Sequence, residues 1–235
     1  MTSPSFAPTL VSLPGGDFLM GNDTGRPDER PAHRIRLAPF RAAVSPVTNA
    51  EYARFVAATG AAPAPFLDDD RFTAREQPVV GINWHEAVAY CDWLVAETGI
   101  PFRLPTEAER EYAARGGFQG RDWPWPGADA SGHPAFEDLA TLDRPHPPTE
   151  ACANGFGLRC MAENVHEWCA DWYAAAYYAT SPADAPAGPV EGRRKLSRGG
   201  AWRHSEKFTR VAARSSLDPT FRYSDFGFRV YASLP

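Results

Sequence analysis

Between about Phe118 and Lys195 the chain shows almost no hydrophobic period, yet it is too rich in large aromatic rings to remain unfolded. Asp122-Trp-Pro-Trp-Pro-Gly127 and Ser181-Pro-Ala-Asp-Ala-Pro-Ala-Gly-Pro189 are turn sequences, because Pro fixes φ and Gly frees it. A structureless stretch of this length normally argues against a compact domain. Trp123, Trp125, Phe156, Trp168 and Trp172 reverse that argument, since rings of this size bury large apolar areas. The chain is therefore expected to fold as ordered coil packed on aromatic residues. No internal repeat and no low-complexity linker divides it. Its 235 residues can form one domain with a substantial core.

Three helices are marked by their start signals. Thr48 and Glu51 form a capping box ahead of Tyr52, Phe55 and Val56 at helical spacing. Asn83 and Glu86 open a second helix with the stripe Trp84, Ala87, Val88, Cys91, Leu94 and Val95, and Gly99 stops it. Thr106 and Glu109 open a third, which Gly116-Gly117 ends. Ile35 and Leu37 alternate with Arg34 and Arg36, a strand pattern. Phe226, Phe228 and Val230 alternate with Gly227, Arg229 and Tyr231, which predicts another.

The net charge of −5 argues against nucleic acid or an anionic membrane as partner, since both require a basic surface. No apolar run reaches membrane-spanning length, and the N-terminus lacks a basic start and a long apolar stretch. These features predict a cytoplasmic protein. Cys91, Cys152, Cys160 and Cys169 show no CxxC spacing and are expected as reduced thiols.

Several words occur in order along nearly the whole chain. They are Leu13-Pro-Gly-Gly-Asp-Phe-Leu-Met-Gly21, Val44-Ser-Pro-Val-Thr-Asn-Ala-Glu-Tyr52 and Pro78-Val-Val-Gly-Ile-Asn-Trp-His-Glu-Ala87. Next come Arg103-Leu-Pro-Thr-Glu-Ala-Glu109, Asn154-Gly-Phe-Gly-Leu158 and Asn164-Val-His-Glu-Trp168. Arg198-Gly199-Gly200, Val211-Ala212-Ala213-Arg214-Ser215 and Gly227-Phe228-Arg229 complete the series. Together they resemble the formylglycine-generating enzyme family, also called the sulfatase-modifying factor family. The resemblance implies an α+β fold: one elaborated C-type-lectin-like domain across residues 1–235, with a small mixed sheet, about three helices and much ordered coil.

In the family's oxidases a cysteine pair between the Arg-Gly-Gly and Ala-Ala-Arg-Ser words binds copper and does the chemistry. Here that interval, Ala201 to Arg210, holds no cysteine. A cuprous ion needs soft thiolates, so neither copper nor conversion of cysteine to formylglycine is expected. The resemblance also implies a structural calcium ion on Asn164, Val165 (through its carbonyl) and Glu167, all hard oxygen donors. Glu163 stands where the family usually has Gly and offers a further carboxylate. A second family calcium site falls near Phe136-Glu137-Asp138, without the usual Asn word.

The histidines form neither HxxxH nor HExxH, so no convergent iron or zinc set is expected. His33 and His166 read as packing or hydrogen-bonding residues, whereas His204 is placed to face a cleft. Arg103, Arg115, Arg198, Arg214 and Arg229 are expected to pair with carboxylates such as Glu107, Glu109, Glu111 and Asp171 under the coil. The residues between the last words form the ligand cleft in this family. Trp202, Arg203, His204, Glu206, Phe208 and Arg210 follow one word; Asp218, Phe221, Arg222 and Tyr223 precede another. Trp202, Arg203, His204, Glu206, Phe221, Arg222 and Tyr223 are the expected ligand contacts on one shared cleft, with Glu206 and His204 the candidate acid–base residues.

Two functions follow from the resemblance. One is a binding or accessory protein that takes a small molecule or peptide in the C-terminal cleft. The other is a divergent oxidoreductase of small-molecule or peptide maturation, like family members of siderophore maturation that act without the cysteine pair.

Overall fold

Each of the three capping boxes sits at a helix start, and together they fix the frame. In the computed structural model, which describes residues 7–125 and 143–234, α1 spans Asn49–Thr59, α2 Trp84–Thr98 and α3 Glu107–Arg115. Thr48, Asn83 and Thr106 accept from the third helical N–H while Glu51, Glu86 and Glu109 reach back. Gly60, Gly99 and Gly116 end the helices in the left-handed region, which suits a residue without Cβ.

The strands form three small sheets. β1 (Leu10–Leu13), β4 (Phe40–Ala43), β10 (Tyr231–Ser233) and β5 (Phe102–Arg103) make an antiparallel set in the order β1-β4-β10-β5. β2 (Gly16–Met20) and β3 (His33–Leu37) form a hairpin. β6 (His166–Trp172), β7 (Lys195–Arg198), β8 (Ser215–Leu217) and β9 (Phe226–Gly227) form the third, ordered β8-β7-β6-β9, with β9 parallel to β6. The architecture is α+β in a single domain, as the resemblance implied.

Two segments depart from the sequence reading. β6 lies inside the stretch expected as coil. Residues on both of its faces are enclosed, from His166 through Cys169, so no alternation marks it. The expected strand over Phe226–Tyr231 is broken into β9 and β10. Phe228 and Val230 are buried as expected, and Arg229 turns inward to a carboxylate, as expected of a structural arginine.

The aromatic argument holds where it can be followed. Trp123, Trp125 and Trp168 are buried, and Phe156 and Trp172 half-buried. The Trp168 indole N–H donates to the Ile82 carbonyl at 2.8 Å, tying β6 to the approach to α2. All four cysteines are free thiols, three buried and Cys152 exposed. No helix among the described residues is long and apolar enough to cross a membrane.

Candidate functional site

Beneath the coil lies a lattice of enclosed arginines and carboxylates. Arg198 reaches Glu111 at 2.6 Å and Glu107 at 2.9 Å; Arg214 grips Glu107 through two hydrogen bonds of 2.7 and 2.9 Å. Arg115 pairs with Glu111, and Arg103 with Glu109 through two bonds of 2.7 Å. The expected structural arginines thus pair as anticipated. Asp171 does otherwise: its carboxylate accepts the Glu107 backbone N–H at the start of α3. Such fork-to-carboxylate pairs are directional as well as strong, so they supply positional information that coil lacks.

This lattice clamps the interval between the last family words. Arg198 Nη1 donates to the carbonyls of Val211 and Ala213 beyond the interval. Gly199 and Gly200 adopt φ of +102° and +70°, and a Cβ on Gly200 would lie 2.4 Å from the Thr209 side chain. Only a glycine lets the two ends of the loop approach this closely.

The expected calcium ligands are enclosed but already committed. Both Glu167 oxygens accept from guanidinium groups, with Arg110 Nε at 2.7 Å and Arg229 Nη2 at 2.8 Å. Burial alone would raise the Glu167 pKa; Arg110 and Arg229 outweigh it and hold the carboxylate below its ordinary value. Asn164 spends its amide on the backbone of His146, at 3.2 and 2.9 Å, and on Cys160 Sγ. A dication brought to Glu167 would meet two fixed positive charges. As arranged, Asn164, Val165 and Glu167 do not fit a calcium ion. Glu163 points one oxygen at the Ala162 N–H, and its other oxygen has no hydrogen-bond partner among the described residues. The second site, near Phe136-Glu137-Asp138, lies outside the described residues.

The seven expected ligand contacts sit in different local settings. Trp202 is half-buried against Phe72, Val80 and Val165, with its indole N–H on the Ser224 carbonyl. It is a packing residue, because its backbone N–H is drawn in by the Asn164 carbonyl. Arg222 pairs with Glu86, the acid of the α2 capping box. Phe221 and Tyr223 are exposed, their rings 6.4 Å apart. Glu206 is exposed in a short turn. Arg203 Nε donates to Asp225 at 2.9 Å.

His204 lines a pocket of about 450 Å³, which it shares with His166, Tyr173, Phe208, Arg26 and Arg194. His166 Nε2 lies 3.1 Å from His204 Nδ1, and His204 Nε2 lies 3.6 Å from Asp225. One donor atom from each of His166, His204 and Asp225 falls within 4.8 Å of the others. This convergence corrects the expectation that no histidine set gathers. It also moves His166 out of a purely structural role. Burial pushes His166 down to about 3, helped by His204, Arg203 and Arg110, so the ring is neutral. Burial lowers His204 as well, and Asp225 opposes that shift. Sequence reasoning found His204 from its interval. It missed Asp225, which no motif marks and which only the parallel pairing of β6 with β9 brings to His166.

A fold of coil ordered by arginine–carboxylate pairs around three small sheets, with a loop clamped at both ends beside a pocket, defines the formylglycine-generating-enzyme-like class. Residues 2–234 match the sulfatase-modifying factor enzyme 1-like domain, and the chain belongs to that family. It is 35% identical over 280 residues to the formylglycine-generating enzyme of Streptomyces coelicolor, covering 93% of this chain and 87% of that one. It is 34% identical to the serine/threonine-protein kinase pkn1 of Chlamydia caviae over 94% of this chain, but spans only 37% of that protein. Among solved structures it resembles PvdO from Pseudomonas aeruginosa, with a TM-score of 0.84 at 29% identity, covering 98% of this chain and 96% of that one.

Proposed function

We propose that this chain is a binding or accessory member of the family, without copper-dependent formylglycine synthesis, that takes an anionic small molecule or peptide in the pocket beside His204. The observation that carries the reading is the loop Ala201–Arg210, which presents imidazole and carboxylate chemistry instead of a thiolate pair. Cuprous copper requires soft ligands, and the buried cysteines Cys91, Cys160 and Cys169 lie outside this loop. The pocket walls support an anionic ligand, with Arg26 and Arg194 beside a single acid, Asp28, while Arg214 is already paired with Glu107. Tyr173 and Phe208 add ring surface.

Two measurements test the reading. A sulfatase-type Cys-x-Pro-x-Arg peptide incubated with the protein and copper should yield no aldehyde; copper-dependent formylglycine formation would overturn it. Native mass spectrometry against carboxylate- and phosphate-bearing small molecules and peptides should reveal complexes that Arg194→Glu weakens. Complexes limited to cationic or neutral compounds would sink the pocket assignment.

A second reading, a divergent oxidoreductase that works without the cysteine pair, is favoured by the convergence of His166, His204 and Asp225. There His204 would accept a substrate proton. Redox turnover of a pocket ligand by the purified protein selects this reading over simple binding.

A further inference from the structure

We propose that His166, His204 and Asp225 form a mononuclear binding site for a divalent transition-metal ion of the iron-to-zinc series. Two imidazole nitrogens and one carboxylate are a donor set these ions favour. The spacing suits it: two nitrogens each ~2.1 Å from one ion, at tetrahedral to right-angle geometry, stand ~3.0–3.4 Å apart. His166 Nε2 and His204 Nδ1 are 3.1 Å apart.

The independent observation is an orphaned carboxylate oxygen. Asp225 is 1% exposed; one carboxylate oxygen takes the Arg203 N–H and the other, Oδ1, has no hydrogen-bond partner among the described residues. A buried polar atom without a partner costs free energy comparable to a lost hydrogen bond, and an ion is one of the few partners that repays it. Arg203 would hold the second Asp225 oxygen as an outer partner that orients the ligand carboxylate. His166 and His204 both line the pocket, so the open coordination positions would face it. The site deepens the pocket reading, because an anionic ligand drawn in by Arg26 and Arg194 could reach the ion.

A second trio, His146, Cys160 and Glu163, also converges. It is the weaker candidate. Burial pushes the Cys160 thiol well above its ordinary value, its sulfur accepts from Asn164, and all three residues are buried. A thiol must ionise before it binds a metal.

The test uses tag-free full-length chain, stripped with chelator and titrated with Zn²⁺ by calorimetry and with Co²⁺ by visible absorption. One ion per chain is expected, with cobalt bands of nitrogen and oxygen ligands and no thiolate charge-transfer band. His204→Ala and Asp225→Asn should weaken binding by roughly 10-fold or more, the size expected when a ligand or its orienting partner is lost. His204 is partly exposed, so its variant should melt near the parent and keep the test valid even if Asp225→Asn unfolds. Cys160→Ser should bind as the parent does. Absence of stoichiometric binding overturns the proposal, as does binding lost in Cys160→Ser but kept in His204→Ala. The Arg194→Glu ligand experiment is run on metal-free protein, so the pocket reading and the metal site can fail separately.

Discussion

Arg110 Nε donates to the Glu167 carboxylate at 2.7 Å with both side chains enclosed, and Arg229 holds the same carboxylate from the other side. Removing one charge from a buried pair typically costs 3–5 kcal/mol, because the partner is left uncompensated. Glu167→Gln should therefore lower the melting temperature by about 10 °C, given ~2–4 °C per kcal/mol for a domain of this size. Millimolar calcium should leave the parent curve unmoved. A calcium-dependent rise that Glu167→Gln abolishes would show that the arginines yield to the ion.

Asp171 gives a pH signature. Burial raises its pKa to about 7, with the Glu107 charge adding to the effect. The folded value exceeds the unfolded one, so the folded state holds a proton that the unfolded chain has released. Its contribution is complete below about pH 4 and is lost as pH rises through about 7. Asp171→Asn is a neutral isostere and lacks this dependence. Urea denaturation of both proteins should show the difference moving in favour of Asp171→Asn between about pH 4 and 7. A difference that stays flat would mean that Asp171 is ionised in the fold.

The aromatic residues once expected on one face should separate in stability measurements. Trp202→Ala removes packing against Phe72, Val80 and Val165 and should cost about 2–3 kcal/mol, at or below the lower end for a fully buried ring because Trp202 is half-buried. Phe221→Ala and Tyr223→Ala, both exposed, should stay within ~0.5 kcal/mol of the parent. Equal losses at all three positions would place the exposed pair in the core.

Gly200→Ala tests the clamp on the loop. The left-handed φ and the 2.4 Å approach to Thr209 leave no room for a methyl group. A loss of about 1–3 kcal/mol is expected from strain of this kind. Gly120→Ala has a similar φ but open space around it, and should lose less. Matching losses would assign the whole effect to backbone conformation.

The frame was legible because its signals are local. A capping acid lies three residues from its cap, so Thr48 with Glu51, Asn83 with Glu86 and Thr106 with Glu109 could be read directly. β6 was hidden because burial on both faces erases the alternation that marks a strand. Arg229 was readable as a paired arginine, but its partner, Glu167, was not, because that carboxylate comes from a distant part of the chain. The same distance concealed the pocket wall. His204 stood in a suggestive interval, but His166 and Asp225 meet it only after β6 and β9 pair.

The loop between Gly200 and Arg210 is tethered at its ends by backbone approach and by Arg198, and along its length by Trp202 on Phe72 and by Arg203 on Asp225. Only the positions between those anchors are exchangeable, as a cartridge is within a fixed housing. Exchanging the exposed residues from Ser205 to Phe208 would change the reagent the protein presents with little effect on the way the chain folds.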